Sequence, residues 1–239
     1  MEPCPPAPAP AIAPVSEREI GRAAVPDGVE LRLVQRGDAF AILLEDTALM
    51  STVVSASEEA LATMTAQRLG PRVAAQWLIG GYGMGYTLRA ALARLGADAS
   101  VTLAEIVPEI IAWARGPMQA FTAGCLDDPR VMLVNDDVAM LIDAARGGYD
   151  AILLDVDNGP EGITRLDNDH LYTPQGLAAA RRALRPGGIL AIWSCAPFAA
   201  FTRRLTQAGF AAEMINVRER AGDQGAHHTI WFAQKPGRP

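Results

Sequence analysis

From Gln76 to Phe232, short apolar runs alternate with stretches whose apolar positions recur every three to four residues. The runs Trp77-Leu78-Ile79, Val101-Thr102-Leu103-Ala104, Val131-Met132-Leu133-Val134, Ala151-Ile152-Leu153-Leu154 and Ile189-Leu190-Ala191-Ile192 read as strands. Each is nearly continuous in apolar character, so both faces must be covered, which is the condition of a parallel strand between helical layers. Leu88, Leu92 and Leu95 mark the buried side of one intervening helix, and Ile110, Ile111 and Ala114 that of the next, which Pro108 opens. A strand near Met214 to Val217, a polar turn from Ala221 to Gly225 and a strand His228 to Phe232 close the chain. Two strands joined by a hairpin cannot both run parallel to the rest, so the pattern predicts a doubly wound, mostly parallel seven-stranded sheet ending in one antiparallel strand.

The pattern before Ser57 is different. Residues 1–27 are rich in proline and alanine and bury too little surface to offset ordering entropy, so they read as a disordered tail. Residues 28–56 alternate through Val29 to Val34, turn at Arg36-Gly37-Asp38, and continue through Phe40 to Leu44 and Leu49 to Val54, a small N-terminal antiparallel β ribbon. Such a ribbon is too thin to stand alone and must pack on the domain of residues 57–239 or on a second copy, which makes a homodimer one reading. Ser57-Glu58-Glu59 reads as a serine cap with acids placed favourably in the first turn of a helix reaching Leu69, a role for Glu58 and Glu59 in facing substrate being the alternative.

Composition narrows the class. Among 239 residues, 27 acids against 21 bases give a formal charge of −6, which argues against nucleic acid as a partner and tolerates a cationic small-molecule substrate. Cys4, Cys125 and Cys195 are too far apart for zinc-site spacing, so no metal is expected, and the odd count suggests a reducing, cytoplasmic setting. No apolar run reaches the length of about 18 residues that a membrane helix needs, and the first residues lack a secretory pattern, so no membrane association is expected. Lys235 is the sole lysine, which removes lysine-based chemistry from the centre of the sheet.

The chemistry gathers at strand ends. Gly80-Gly81-Tyr82-Gly83-Met84-Gly85 between a strand and a helix lets backbone approach a ligand closely, with Thr87 as a helix cap. Glu105, at the tip of the next strand and about 20 residues after the last glycine, sits where an acid reaches ribose hydroxyls. Asp136 suits an adenine amino group, and Asp137 suits capping the following helix. Asp155 and Asp157 emerge at the carboxyl edge of the fourth parallel strand, where open α/β sheets bind ligands, and Glu161, Asp167, Asp169 and His170 extend an acid-rich lip before Tyr172. His227 and His228 read equally as strand-edge residues or site residues.

In their order and spacing, Leu78 to Arg89, Val101 to Glu109, Tyr149 to Asp155, and Leu171-Tyr172 through Leu184-Arg185-Pro186-Gly187-Gly188-Ile189-Leu190 resemble class I S-adenosylmethionine-dependent transferases. Within that class they are most similar to the spermidine synthase-like branch, whose small N-terminal ribbon also matches. The resemblance implies a Rossmann-like fold with Gly80, Gly81, Tyr82, Gly83 and Gly85 cradling the donor, Glu105 at its ribose, Asp136 at its adenine, Ile106 and Asp137 also among the donor-binding residues, and Asp155 beside the sulfonium. Asp155 and Asp157 would then act on the nucleophile, with Asp157, His170 and Tyr172 toward the acceptor.

Two features favour S-adenosylmethionine itself as donor within that branch. Tyr82-Gly83-Met84 carries no acid inside the glycine loop, and Ala56-Ser57-Glu58-Glu59 carries no tyrosine. The leading expectation is thus a methyltransferase-type enzyme acting on a small, amine-bearing acceptor. The alternative is a polyamine aminopropyltransferase using decarboxylated S-adenosylmethionine.

Overall fold

A computed structural model of the chain describes residues 17–26, 28–156, 170–220 and 224–237. Two sheets organise them. The first is antiparallel and runs in sequence order through β1 (Glu17–Ala24), β2 (Glu30–Arg36), β3 (Ala39–Leu44) and β4 (Thr47–Ser51). β1 corrects the expectation of a structureless segment before Gly28. Alternation in Ile20, Arg22 and Ala23 is weak, but pairing with β2 from Glu17↔Arg36 to Ala24↔Glu30 satisfies the strand's backbone, and the indole of Trp113 packs over Gly21. The remainder of the expected tail lies outside the described residues.

The main sheet follows α1 (Ala56–Leu69). In chain order it comprises β5 (Gln76–Gly80), α2 (Tyr86–Leu92), β6 (Ser100–Ala104), α3 (Pro108–Arg115), α4 (Gln119–Thr122), β7 (Val131–Val134), α5 (Val138–Ala144), β8 (Tyr149–Leu154), α6 (Pro174–Ala183), β9 (Leu184–Ser194), α7 (Ala199–Gln207), β10 (Ala211–Arg220) and β11 (Gln224–Gln234). Spatial order is β10-β11-β9-β8-β5-β6-β7, with β11 alone opposed to its neighbours. This is the doubly wound sheet that the apolar runs predicted. Trp77, Leu78, Ile79, Leu103, Ile152 and Leu153 are almost wholly inaccessible, one face packed on α1 and α2 and the other on α5 and α6.

The sequence misread two local features. Ser57 is not the cap of α1: Ser55 occupies that position, and the Ser57 hydroxyl turns inward. Thr87 lies inside α2 rather than at its start, where Gly85 in the left-handed region forms the boundary. Arg185-Pro186-Gly187-Gly188 forms the irregular start of β9, where the register with β8 jumps from Leu184 to Ile189, and the Arg185 guanidinium bonds the buried Asp150 carboxylate at 2.7 Å. Asp137 does cap α5, accepting from the Ala139 N–H at 2.8 Å. No helix of the described residues is long and apolar enough to cross a membrane.

Candidate active site

Strand order reverses between β5 and β8, so their carboxyl ends open a crevice into which the glycine turn projects. Gly81 has φ 86°, and a Cβ there would collide with the Asp155 carbonyl; any other residue would force the two strand exits apart. Gly80 packs against Val138 and Gly85 against the Tyr82 ring, so these two glycines shape the turn from behind.

Glu105 ties this turn to the exit of β6. Its Oε2 accepts from the Tyr82 N–H at 2.9 Å and its Oε1 from the Val107 N–H at 2.8 Å, with the side chain 5% exposed. Burial pushes its pKa up, opposed by the surrounding backbone N–H groups of Tyr82, Val107, Ile106 and Gly83. Each carboxylate oxygen retains acceptor capacity, which suits a pair of neighbouring hydroxyls. A recess of about 780 Å³ lies in front of it, walled by Gly81, Gly83, Glu105, Ile106, Asp136, Asp137 and Asp155 and roofed by Leu31 and Met50 of the small sheet and by Val25, which follows β1. That lining suits a nucleoside, with apolar surface for a base and carboxylates for polar edges.

A second recess of about 610 Å³ shares Met50, Gly83 and Asp155 with the first and continues to Glu58, Tyr86 and Trp193. Asp155 is half-buried at the end of β8, and its Oδ2 accepts a 2.7 Å bond from the Thr87 hydroxyl. Burial pushes its pKa up to about 6, and the Thr87 bond acts against that rise. Glu58, in the first turn of α1, is pushed up to about 7, first by burial and then by the Asp155 charge. Among the described residues neither carboxyl has a cationic partner, so the two share a proton near neutrality.

The sequence-derived residues thus divide. Gly81, Gly83, Glu105, Ile106, Asp136, Asp137 and Asp155 line the first recess, while Tyr82 lines the second and keeps its hydroxyl 3.5 Å from Cys125 Sγ. Tyr172 is corrected: it is 2% exposed, its ring stacked edge-on to Phe201 in the core below α7, so no face remains for a substrate. His170 is exposed at the approach to α6, where its carbonyl accepts from the Thr173 hydroxyl, and it lines neither recess. Asp157, with Glu161, Asp167 and Asp169, lies outside the described residues. In sequence Thr87 reads only as a cap, and a substrate-facing role for Glu58 stands second to dipole placement, because a threonine beside a glycine and an acid in a first helical turn are explained locally without a site.

A reversed strand order, a glycine turn and a strand-end acid on one crevice fit the class I S-adenosylmethionine-dependent transferase fold. The sequence model of the spermine/spermidine synthase domain matches residues 59–200, and the chain belongs to that family. It is 31% identical over 149 residues to a polyamine aminopropyltransferase of Mycobacterium tuberculosis (strain CDC 1551 / Oshkosh), covering 59% of this chain and 28% of that protein. To polyamine aminopropyltransferase 1 of Streptomyces coelicolor it is 33% identical over 148 residues, covering 59% and 27%. The chain therefore aligns with under a third of the length of these relatives. The spermidine synthase of Thermotoga maritima superposes with a TM-score of 0.72 over 93% of this chain and 74% of its own, at 21% identity, which establishes the shared fold.

Proposed function

We propose that this protein transfers an aminopropyl group from decarboxylated S-adenosylmethionine to a small amine. One observation carries the reading: the two joined recesses present the carboxyls of Glu58, Glu105, Asp136, Asp137 and Asp155 and, among the described residues, no lysine, arginine or histidine. A methionine tail would bring a carboxylate beside Asp155 and Glu58 with no cation among the described lining residues to receive it. An aminopropyl tail ends in an ammonium, which both carboxyls attract. The similarity to proteins named polyamine aminopropyltransferase supports the same choice. It replaces the methyltransferase-type expectation, which rested on the lack of an acid in the glycine loop; Glu58 brings an acid to the same recess from α1.

The chemistry follows from that placement. Glu105 and the glycine turn hold the nucleoside, Asp136 and Asp137 stand at its base, and the sulfonium lies by Asp155. An acceptor amine entering the second recess gives up a proton to the Asp155–Glu58 pair, and its freed lone pair attacks the carbon next to sulfur. The C–N bond forms as the C–S bond breaks, and the bonding electrons stay on sulfur as a neutral thioether. A sulfonium needs little activation, so alignment and removal of the amine proton are the protein's main tasks.

Calorimetry with the two donors, followed by mass analysis of products formed with linear diamines, tests this. Tighter binding of the decarboxylated donor and a product enlarged by an aminopropyl group are expected. A product enlarged by a methyl group would overturn the proposal.

A further inference from the structure

Each aminopropyl transfer from a protonated amine leaves one proton on the Asp155–Glu58 pair, and both carboxyls are half-buried against the recess that the substrates would fill. The described structure contains a continuous polar path away from it. The Ser57 hydroxyl, wholly buried, donates to Glu58 Oε2 and lies 2.8 Å from His228 Nδ1. His228, on β11, stands edge-on to Trp193 of β9 with ring centroids 4.8 Å apart, and its Nε2 is 4.0 Å from Glu219 Oε2 on β10. The side chains of His228 and Glu219 are 15% and 23% exposed, so the path leads away from the substrate recess to a second edge that water reaches.

We propose that Ser57 and His228 form the exit route for the proton released in each turnover, a role that rests on the aminopropyl-transfer reading above. With the proton on Glu58, the bond to Ser57 reverses: Glu58 donates to the Ser57 oxygen while the Ser57 hydroxyl donates to His228 Nδ1. The imidazolium then gives its Nε2 proton to Glu219 or to water, and exchange with solvent restores the starting tautomer. No bond other than O–H and N–H is made or broken, and the net change is one proton moved outward. The groups facing this path are Asp155 and Glu59 around Glu58, and Glu219 around His228. Burial lowers the pKa of His228, so the imidazolium is short-lived and passes its proton on readily. Ser57 and His228 act here as positioning and proton-transfer residues; neither lines the donor recess.

The test is steady-state and single-turnover kinetics of Ser57→Ala, Ser57→Thr and His228→Gln at pH 6 to 9, with donor affinity measured separately by calorimetry. Both Ser57→Ala and His228→Gln should lower kcat about tenfold while leaving donor affinity unchanged. Added imidazole should restore the rate of His228→Gln, and Ser57→Thr, which keeps the hydroxyl, should stay close to the wild type. Unchanged kcat in His228→Gln would overturn the relay, as would a loss that tracks a fall in Tm and resists every added buffer. A wild type that makes no aminopropylated product would instead overturn the proposed function, so the two failures are distinguishable.

Discussion

The Thr87 hydroxyl in the first turn of α2 donates a 2.7 Å hydrogen bond to Asp155 Oδ2 at the exit of β8, and its second contact is the Glu58 carbonyl at 3.3 Å. One small side chain thus touches the three elements that enclose the carboxyl pair. A bond donated to a carboxylate favours its charged form, so Thr87 keeps Asp155 able to take a proton in a place where burial alone would fill it. Thr87→Val keeps the shape and removes the donor. The acid limb of kcat should move to higher pH, and the rate at pH 7 should fall about tenfold. A pH–rate profile of the variant checks this, and an unmoved limb would separate Thr87 from the chemistry.

Glu58 sits in a first helical turn, where the helix dipole favours a negative charge, yet its pKa rises to about 7 because burial and Asp155 outweigh the dipole. The folded protein therefore holds a proton that the unfolded chain releases near pH 4.5. Stability from this group is complete below that value and is lost as pH climbs toward 7. Glu58→Gln removes the cost of the buried charge. Without ligands it should be more stable than the wild type by on the order of 2 kcal/mol at pH 8 and no different at pH 4, by thermal unfolding across that range. Aminopropyl transfer should fall in the same variant, since the recess loses half of its carboxyl pair.

Glu105 accepts two backbone N–H bonds, from Tyr82 and Val107. In Glu105→Gln the new amide nitrogen would face one of those N–H donors, so one bond is replaced by a donor–donor clash. We expect a loss of about 1–3 kcal/mol in stability and a donor affinity weakened at least tenfold. Denaturant unfolding and donor calorimetry read the two effects independently. A variant with native stability and native affinity would remove Glu105 from the donor site.

Much of this was legible before any coordinates. Five near-continuous apolar runs required a two-sided parallel sheet, and the closing hairpin required one reversed strand, because backbone pairing and burial leave few other arrangements. Glu105 and Asp155 were legible for the same reason: a carboxylate that ends an apolar strand must emerge at the sheet's carboxyl edge, where the glycine turn lies. Tyr172 misled because its position before a helix is open in one dimension, whereas in three the aromatic ring fills the core against Phe201. β1 was hidden by a composition poor in large apolar residues; its order comes from pairing with β2, a contact its own sequence does not announce.

The sequence by itself determined the order of strands and helices, the edge at which ligands bind and the excess of acid there, since each follows from local periodicity and the chain's covalent order. Tertiary structure alone decided that Glu58 meets Asp155 and that Ser57 meets His228, residues 171 positions apart in the chain. Repulsion between carboxyls and a hydrogen-bonded path both act over a few ångströms of space, and only the packing of α1 against the sheet brings those distances into being.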